Sequence, residues 1–166
     1  MDKLVFLLSI VIISTSSFSY DFSVADNLFS KRAESFETSI SAIRSYKSAL
    51  EEVISVEDKN YAVAQVARLS LFAGGMFDGV ELEMKKNILS EALEAVELIA
   101  EEKSGEYYYF KLACLAIGTK LAGVFEKVEW GLKLRLFQSE AFNSSTRGDK
   151  IFGGFAGGGV LRLLAA

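Results

Sequence analysis

The chain has no proline, no histidine and a single cysteine among 166 residues, and its net charge is only −4. Each absence excludes something. Without histidine there is no imidazole base, no Ser-His or Cys-His couple and no histidine-bearing zinc site, so most familiar hydrolase mechanisms are closed. Without proline, nothing in the chain forces a break in a helical hydrogen-bond ladder. A lone cysteine cannot close a disulfide within the chain. Cys114 lies in the apolar run 110–116 and reads as a small buried hydrophobe, with a reactive thiol or an intermolecular bridge as the functional alternative. Lysine and arginine are scattered, which leaves no electrostatic footprint for nucleic acid. What is present is apolar: 51% of residues are hydrophobic, enough at this length for one real core and hardly two.

Residues 1–19 read as a secretory signal peptide. Lys3 supplies a basic start, 4–13 an apolar run and Ser17-Phe18-Ser19 a small-x-small cleavage site. The apolar run is about half of the roughly 20 residues that a membrane span needs, so a cleaved leader is favoured over a retained anchor. The expectation is an exported protein, periplasmic or secreted, with a single all-helical domain at 20–166 beginning near Tyr20.

Helix is the expected local structure throughout, because long alternations of Ala, Leu, Glu and Lys lose little rotamer entropy in it. A first helix is predicted over 24–34, presenting Ala25, Leu28, Phe29 and Ala33 for packing. Between 36 and 54, Phe36, Ile40, Ile43, Tyr46, Leu50 and Val53 recur every three or four residues, with Glu37, Ser41, Arg44, Ser48 and Glu52 opposite. That is an amphipathic helix. The run 61–73 is apolar on nearly every side, as in a helix sandwiched between neighbours, and Gly74-Gly75 is expected to end it. A helix over 82–102 carries Ile88, Leu89, Ala92, Val96, Ile99 and Ala100 inward and Glu91, Glu94, Glu97 and Glu101 outward. The last two predicted helices are an apolar one over 107–122 and an amphipathic partner over 125–142. In the latter Glu126, Glu129, Lys133 and Glu140 share one polar side. Beyond it, 143–158 reads as a polar and then glycine-rich loop, and 159–166 as an incomplete last helix.

The fold class expected is therefore all-α, with stacked antiparallel helix pairs forming an α-solenoid or a compact helical bundle. Ala42, Tyr46 and Ala49 resemble the second helix of a tetratricopeptide repeat: small side chains let the two helices of a hairpin approach, and the aromatic fills the gap to the next hairpin. Ala92 and Val96 can take the same roles in the next pair. The segments Tyr107-Tyr108-Tyr109-Phe110-Lys111-Leu112-Ala113 and Gly157-Gly158-Gly159-Val160-Leu161-Arg162-Leu163-Leu164 resemble the exported helical T component associated with tripartite (TRAP) solute transporters. That resemblance implies an all-helical, non-enzymatic protein working in the periplasm beside an exported solute-binding protein. The chain departs from the pattern in carrying no lipidation cysteine.

Several features compete for a functional role. The glycine stretch 153–159 precedes a short predicted helix, as an anion cradle would, but lacks the Gly-Lys-Ser/Thr of a P-loop and reads as a flexible entry loop. Arg147-Gly148-Asp149 and the sequon Asn143-Ser144-Ser145 read as ordinary loop residues. The glutamates of 82–102 are spread along one helix face, as on a solvated surface, and do not converge as a metal site requires. Three adjacent tyrosines cannot all face a core, because helical neighbours are about 100° apart. The contact surface expected is the groove of the first helices of each pair, presenting Gln65, Arg68, Tyr107, Tyr108 and Lys111. No catalytic residue, metal ligand or cofactor is assigned. The expected role is a non-catalytic binding or scaffold protein for a protein or peptide partner, accessory to solute transport, with a homo-oligomer as a further assembly. The alternative is a small-molecule or lipid carrier with an apolar pocket between helices; an enzyme using paired carboxylates ranks last.

Overall fold

A computed structural model describes residues 20–99 and 105–145. The expected leader, the 100–102 end of the fourth predicted helix, Arg147-Gly148-Asp149, the glycine stretch and the terminal 159–166 segment lie outside the described residues, as do the side chains of the sequon. The protein is all-α: α1 (Ser23–Ser30), α2 (Phe36–Glu52), α3 (Val56–Met76), α4 (Leu82–Val96), α5 (Gly105–Leu121) and α6 (Glu126–Ser145), with no strand among the described residues.

Local chemistry sets the helix starts. The Ser35 side chain accepts a hydrogen bond from the Thr38 amide at 3.0 Å, and that of Ser55 accepts from the Asp58 amide at 2.9 Å. Each satisfies an orphan donor of the first turn, a contribution of about 1 kcal/mol. The Ser55 cap is why α3 begins at Val56, five residues ahead of the apolar run that predicted it.

The helix ends depart from expectation at several places. α1 stops at Ser30, where the Lys31 and Arg32 amides bond back to Leu28 and Phe29 in a tighter turn, and Ala33 is left exposed beyond it. Gly74-Gly75 does not end α3. Gly74 stays helical and buried because Leu89 packs 3.5 Å from where its Cβ would be, and the chain leaves the helix only at Phe77, ahead of Gly79 at φ +76°. α4 ends at Val96, not Glu102: the Leu98 and Ile99 amides bond to Ala95 and Val96, a tightened last turn that keeps Ile99 buried beside Val63. α6 runs to Ser145, so 143–145 are helical where a loop was expected.

Consecutive helices pack as neighbours, and α3 also lies against α5. α3 is the centre of this arrangement, with every residue from Ala62 to Ala67 buried. Ala42, Tyr46 and Ala49 of α2 join Ala62, Val66 and Leu69 of α3 in one core cluster. Fully burying a side chain such as Leu69 or Val66 contributes roughly 1.5–3 kcal/mol. The buried polar groups are satisfied: Ser39 donates to the Arg32 carbonyl at 2.7 Å and Ser70 to that of Val66 at 2.8 Å. The second helices are linked to one another by ion pairs at 2.8 Å, Lys47–Glu91 between α2 and α4 and Lys86–Glu126 between α4 and α6. Lys85, in the first turn of α4, is buried and donates to the Phe77 carbonyl at the end of α3.

An aromatic–carboxylate clip fastens α1 to the next two helices. The Asp26 carboxylate accepts from the Tyr46 hydroxyl and, at 2.8 Å, from that of Tyr61. Burial and the Asp26 carboxylate push the Tyr46 phenol well above its ordinary value of 10.0. A raised folded-state value means that the clip contributes stability below that ordinary value and loses it as pH rises beyond it. At the other end, α5 and α6 meet so closely at Gly118 that a Cβ there would overlap the Trp130 ring.

Two changes test this packing by chemical denaturation. Gly118→Ala is expected to cost about 1–3 kcal/mol, because the Trp130 ring has to move. Tyr46→Phe is expected to cost about 1–2 kcal/mol at neutral pH and to reduce the loss of stability on going above about pH 10.

Candidate functional site

The α5 tyrosines divide as the 100° helical step requires. Tyr108 is buried against α6, its ring 5.4 Å from that of Phe137 and its hydroxyl 3.4 Å from Glu140 Oε1. Tyr107 and Tyr109 are half-buried. Tyr107 and Lys111, one turn apart, meet Glu97 just beyond α4. The Tyr107 hydroxyl donates to Glu97 Oε2 at 3.0 Å, and the Lys111 ammonium donates to that hydroxyl at 2.7 Å and pairs with Glu97 Oε1. The same ammonium stands 4.4 Å from the centre of the Phe137 ring of α6.

Electrostatics fix the protonation of this group. Burial alone would lower the Lys111 ammonium, but its bonds to Glu97 and Tyr107 outweigh that and hold it above the usual lysine value. Burial pushes Tyr107 up, the Lys111 bond opposes this and Glu97 adds to it. A lysine held charged is a positioned cation and not a proton acceptor.

Gln65 and Arg68, the other two residues expected in the groove, meet each other on α3. Gln65 is buried, and its Oε1 lies 3.4 Å from Arg68 Nη1. Arg68 is exposed and stands 5.8 Å from the centre of the Phe110 ring. Of the five expected contact residues, then, Gln65 and Tyr108 serve the interior, while Arg68, Tyr107 and Lys111 reach the surface.

The glutamates expected on the outer face of 82–102 do not converge. Glu91 pairs with Lys47, Glu97 serves Lys111 and Tyr107, and Glu94 is exposed; Glu101 lies outside the described residues. Among the described residues no three acidic or sulfur side chains converge as a metal site would need, and no helix is long and apolar enough to cross a membrane. Cys114 is fully buried beside Leu89 and Ala92, and burial pushes its thiol up to about 12.

A further surface feature was not singled out in the sequence. α6 turns Trp130, Leu134 and Phe137 toward α5 and keeps Glu126, Glu129, Lys133 and Glu140 along one flank, as expected. The remaining side is apolar. Phe125 is 93% exposed, Val128 65%, Leu132 55% and Leu136 74%, with Val124 beside them. Their spacing of three and four residues makes one continuous stripe. The signal was present in the sequence as a second apolar period interleaved with the first. A helix read as having one buried face conceals it.

The Cys114 thiol is expected to stay unreactive toward an aromatic disulfide reagent at pH 8 in the folded protein and to react fully in denaturant, as followed by absorbance. Comparison of the chain with protein families, with curated proteins and with solved structures finds no match.

Proposed function

We propose that this chain is an exported, non-catalytic helical-repeat module that binds a protein partner through the outer face of α6. The observation that carries this reading is the stripe Val128, Leu132 and Leu136 on α6 with Phe125 in the turn that leads into it, large apolar side chains held in water. Contiguous apolar surface rimmed by charge is the mark of an interaction site.

The occupant is read as a helix of the partner. Inside the stack, α2 lies between α1 and α3 and α4 between α3 and α5, whereas α6 has α5 alone as its major neighbour among the described residues. A helix laid on the stripe would continue that stacking. The rim suggests its chemistry: Glu129, Lys133 and Glu140 flank the stripe on one side and Arg135 on the other, so the partner helix carries charged and polar residues along both edges. Burying the four side chains is worth roughly 1–2 kcal/mol each. Association costs about 4–15 kcal/mol in lost freedom, so apolar contact alone supports a weak, reversible complex, and the charged rim has to supply the rest. The T-component resemblance makes an exported solute-binding protein the first partner to try, with the module accessory to solute transport.

The test is titration calorimetry of the purified chain against that candidate. Leu132→Asp with Leu136→Asp, both at exposed positions, is expected to leave thermal stability unchanged and to weaken binding at least tenfold. Equal affinity in the variant would refute the α6 surface. A dimer of the chain lost in the same variant would identify a second copy as the occupant. Protection of α6 lost on deleting 151–166 would identify the chain's own apolar segment.

A further inference from the structure

We propose that the chain is cut between Ser19 and Tyr20 and that the α-ammonium so created pairs with the Asp58 carboxylate, fastening the mature start of the chain to α3. This rests on the export reading and extends it to the chemistry of the processed end. The Tyr20 backbone nitrogen lies 2.9 Å from Asp58 Oδ2 and is its donor. The side chain of the same residue is seated as well. Its hydroxyl donates to Glu52 Oε2 at 3.1 Å, at the end of α2, and its ring centre is 4.9 Å from that of Phe22. Phe22 is buried and stands 5.0 Å from Tyr61 of α3. The first residue after the small-x-small site is thus held by α2, α3 and the core at once.

The cut changes the strength of this contact. In the uncut chain the Tyr20 nitrogen is an amide with one proton and no charge. Hydrolysis by a leader-processing peptidase breaks the bond from the Ser19 carbonyl carbon to that nitrogen. Water supplies the oxygen that leaves with Ser19, and the nitrogen becomes an ammonium with three donors and a positive charge. A charge-assisted bond then replaces a neutral-donor bond at the same place. The surroundings favour it. Asp58 and Glu57 lie in the first turn of α3, Glu52 closes α2 and Asp21 is adjacent, while Lys59 is the cation beside Asp58 on α3. The carboxylate partner favours the charged amine, so the folded-state value rises above the free one of about 7.7–8.0. The contribution is therefore complete below that range and disappears as pH climbs through the folded-state value.

The experiment begins with the full chain, expressed with its own leader in a secretion-competent bacterium, recovered from the exported fraction and weighed intact by mass spectrometry. The expected mass is that of a chain starting at Tyr20. Thermal unfolding is then measured for the exported protein, Asp58→Asn, the Nα-acetylated protein and the acetylated variant. Asp58→Asn is expected to lower Tm by about 2–5 °C at pH 6–7. Acetylation should lower it similarly, the two together should cost little more than either alone, and the Asp58→Asn difference should shrink above about pH 9. An exported chain that starts elsewhere, or costs that add in full, overturns the pairing while leaving export intact. A chain retained in the cell and starting at Met1 overturns export and the pairing together.

Discussion

The approach of α2, α4 and α5 to α3 is possible because α3 presents Ala62, Ala64, Ala67, Ala73 and Gly74 to them, and the other positions in the structure follow from that contact. Small side chains bring backbones close, and the larger residues between them, Val63, Val66 and Leu69, fill the remaining space from one helix to the next. Tyr46 and Leu89 reach across from the neighbouring helices near opposite ends of α3, beside Tyr61 and Gly74, and are themselves fully buried. A helix wrapped on so many sides has no polar face to orient it. Its rotation is set by which neighbour each alanine admits.

The polar contacts refine this arrangement and do not create it. The Lys47–Glu91 pair is exposed, and such pairs are worth about 0–1 kcal/mol. Their value is in register: one ties α2 to α4, the Lys86–Glu126 pair ties α4 to α6, and Asp26 ties α1 to Tyr46 and Tyr61. The proposed function rests on what this packing leaves over. The interior of the described residues is satisfied and its thiol is sealed, so the chemistry available to a partner is at the surface: the aromatic and cationic residues around Tyr107 and Lys111, and the apolar side of α6.

Much of the fold was legible in the sequence because helical periodicity survives without any alignment. The α2 stripe is buried at Phe36, Ile43 and Tyr46, and Glu37, Ser41, Arg44, Ser48 and Glu52 are all exposed, as their spacing required. The ends were harder. Gly74 carries a stop signal that tertiary packing overrides, since its missing side chain is occupied by Leu89. Partners far apart in sequence were not legible either: Asp26 meets residues 20 and 35 positions away. Of the expected contact residues Arg68 is exposed, Tyr107 and Lys111 are half-buried, and Gln65 and Tyr108 are buried; one of three consecutive helical tyrosines has to turn inward, and the sequence does not say which. In α6 two apolar periods overlap, and only the packing against α5 shows which of them is inside.

Native-state hydrogen exchange tests the central claim most directly. If α3 is the helix on which the others are packed, the amides from Ala62 to Ala73 exchange only by global unfolding, with α1 and α6 opening at lower free energy. Exchange of the α3 amides as fast as those of α1 would contradict it.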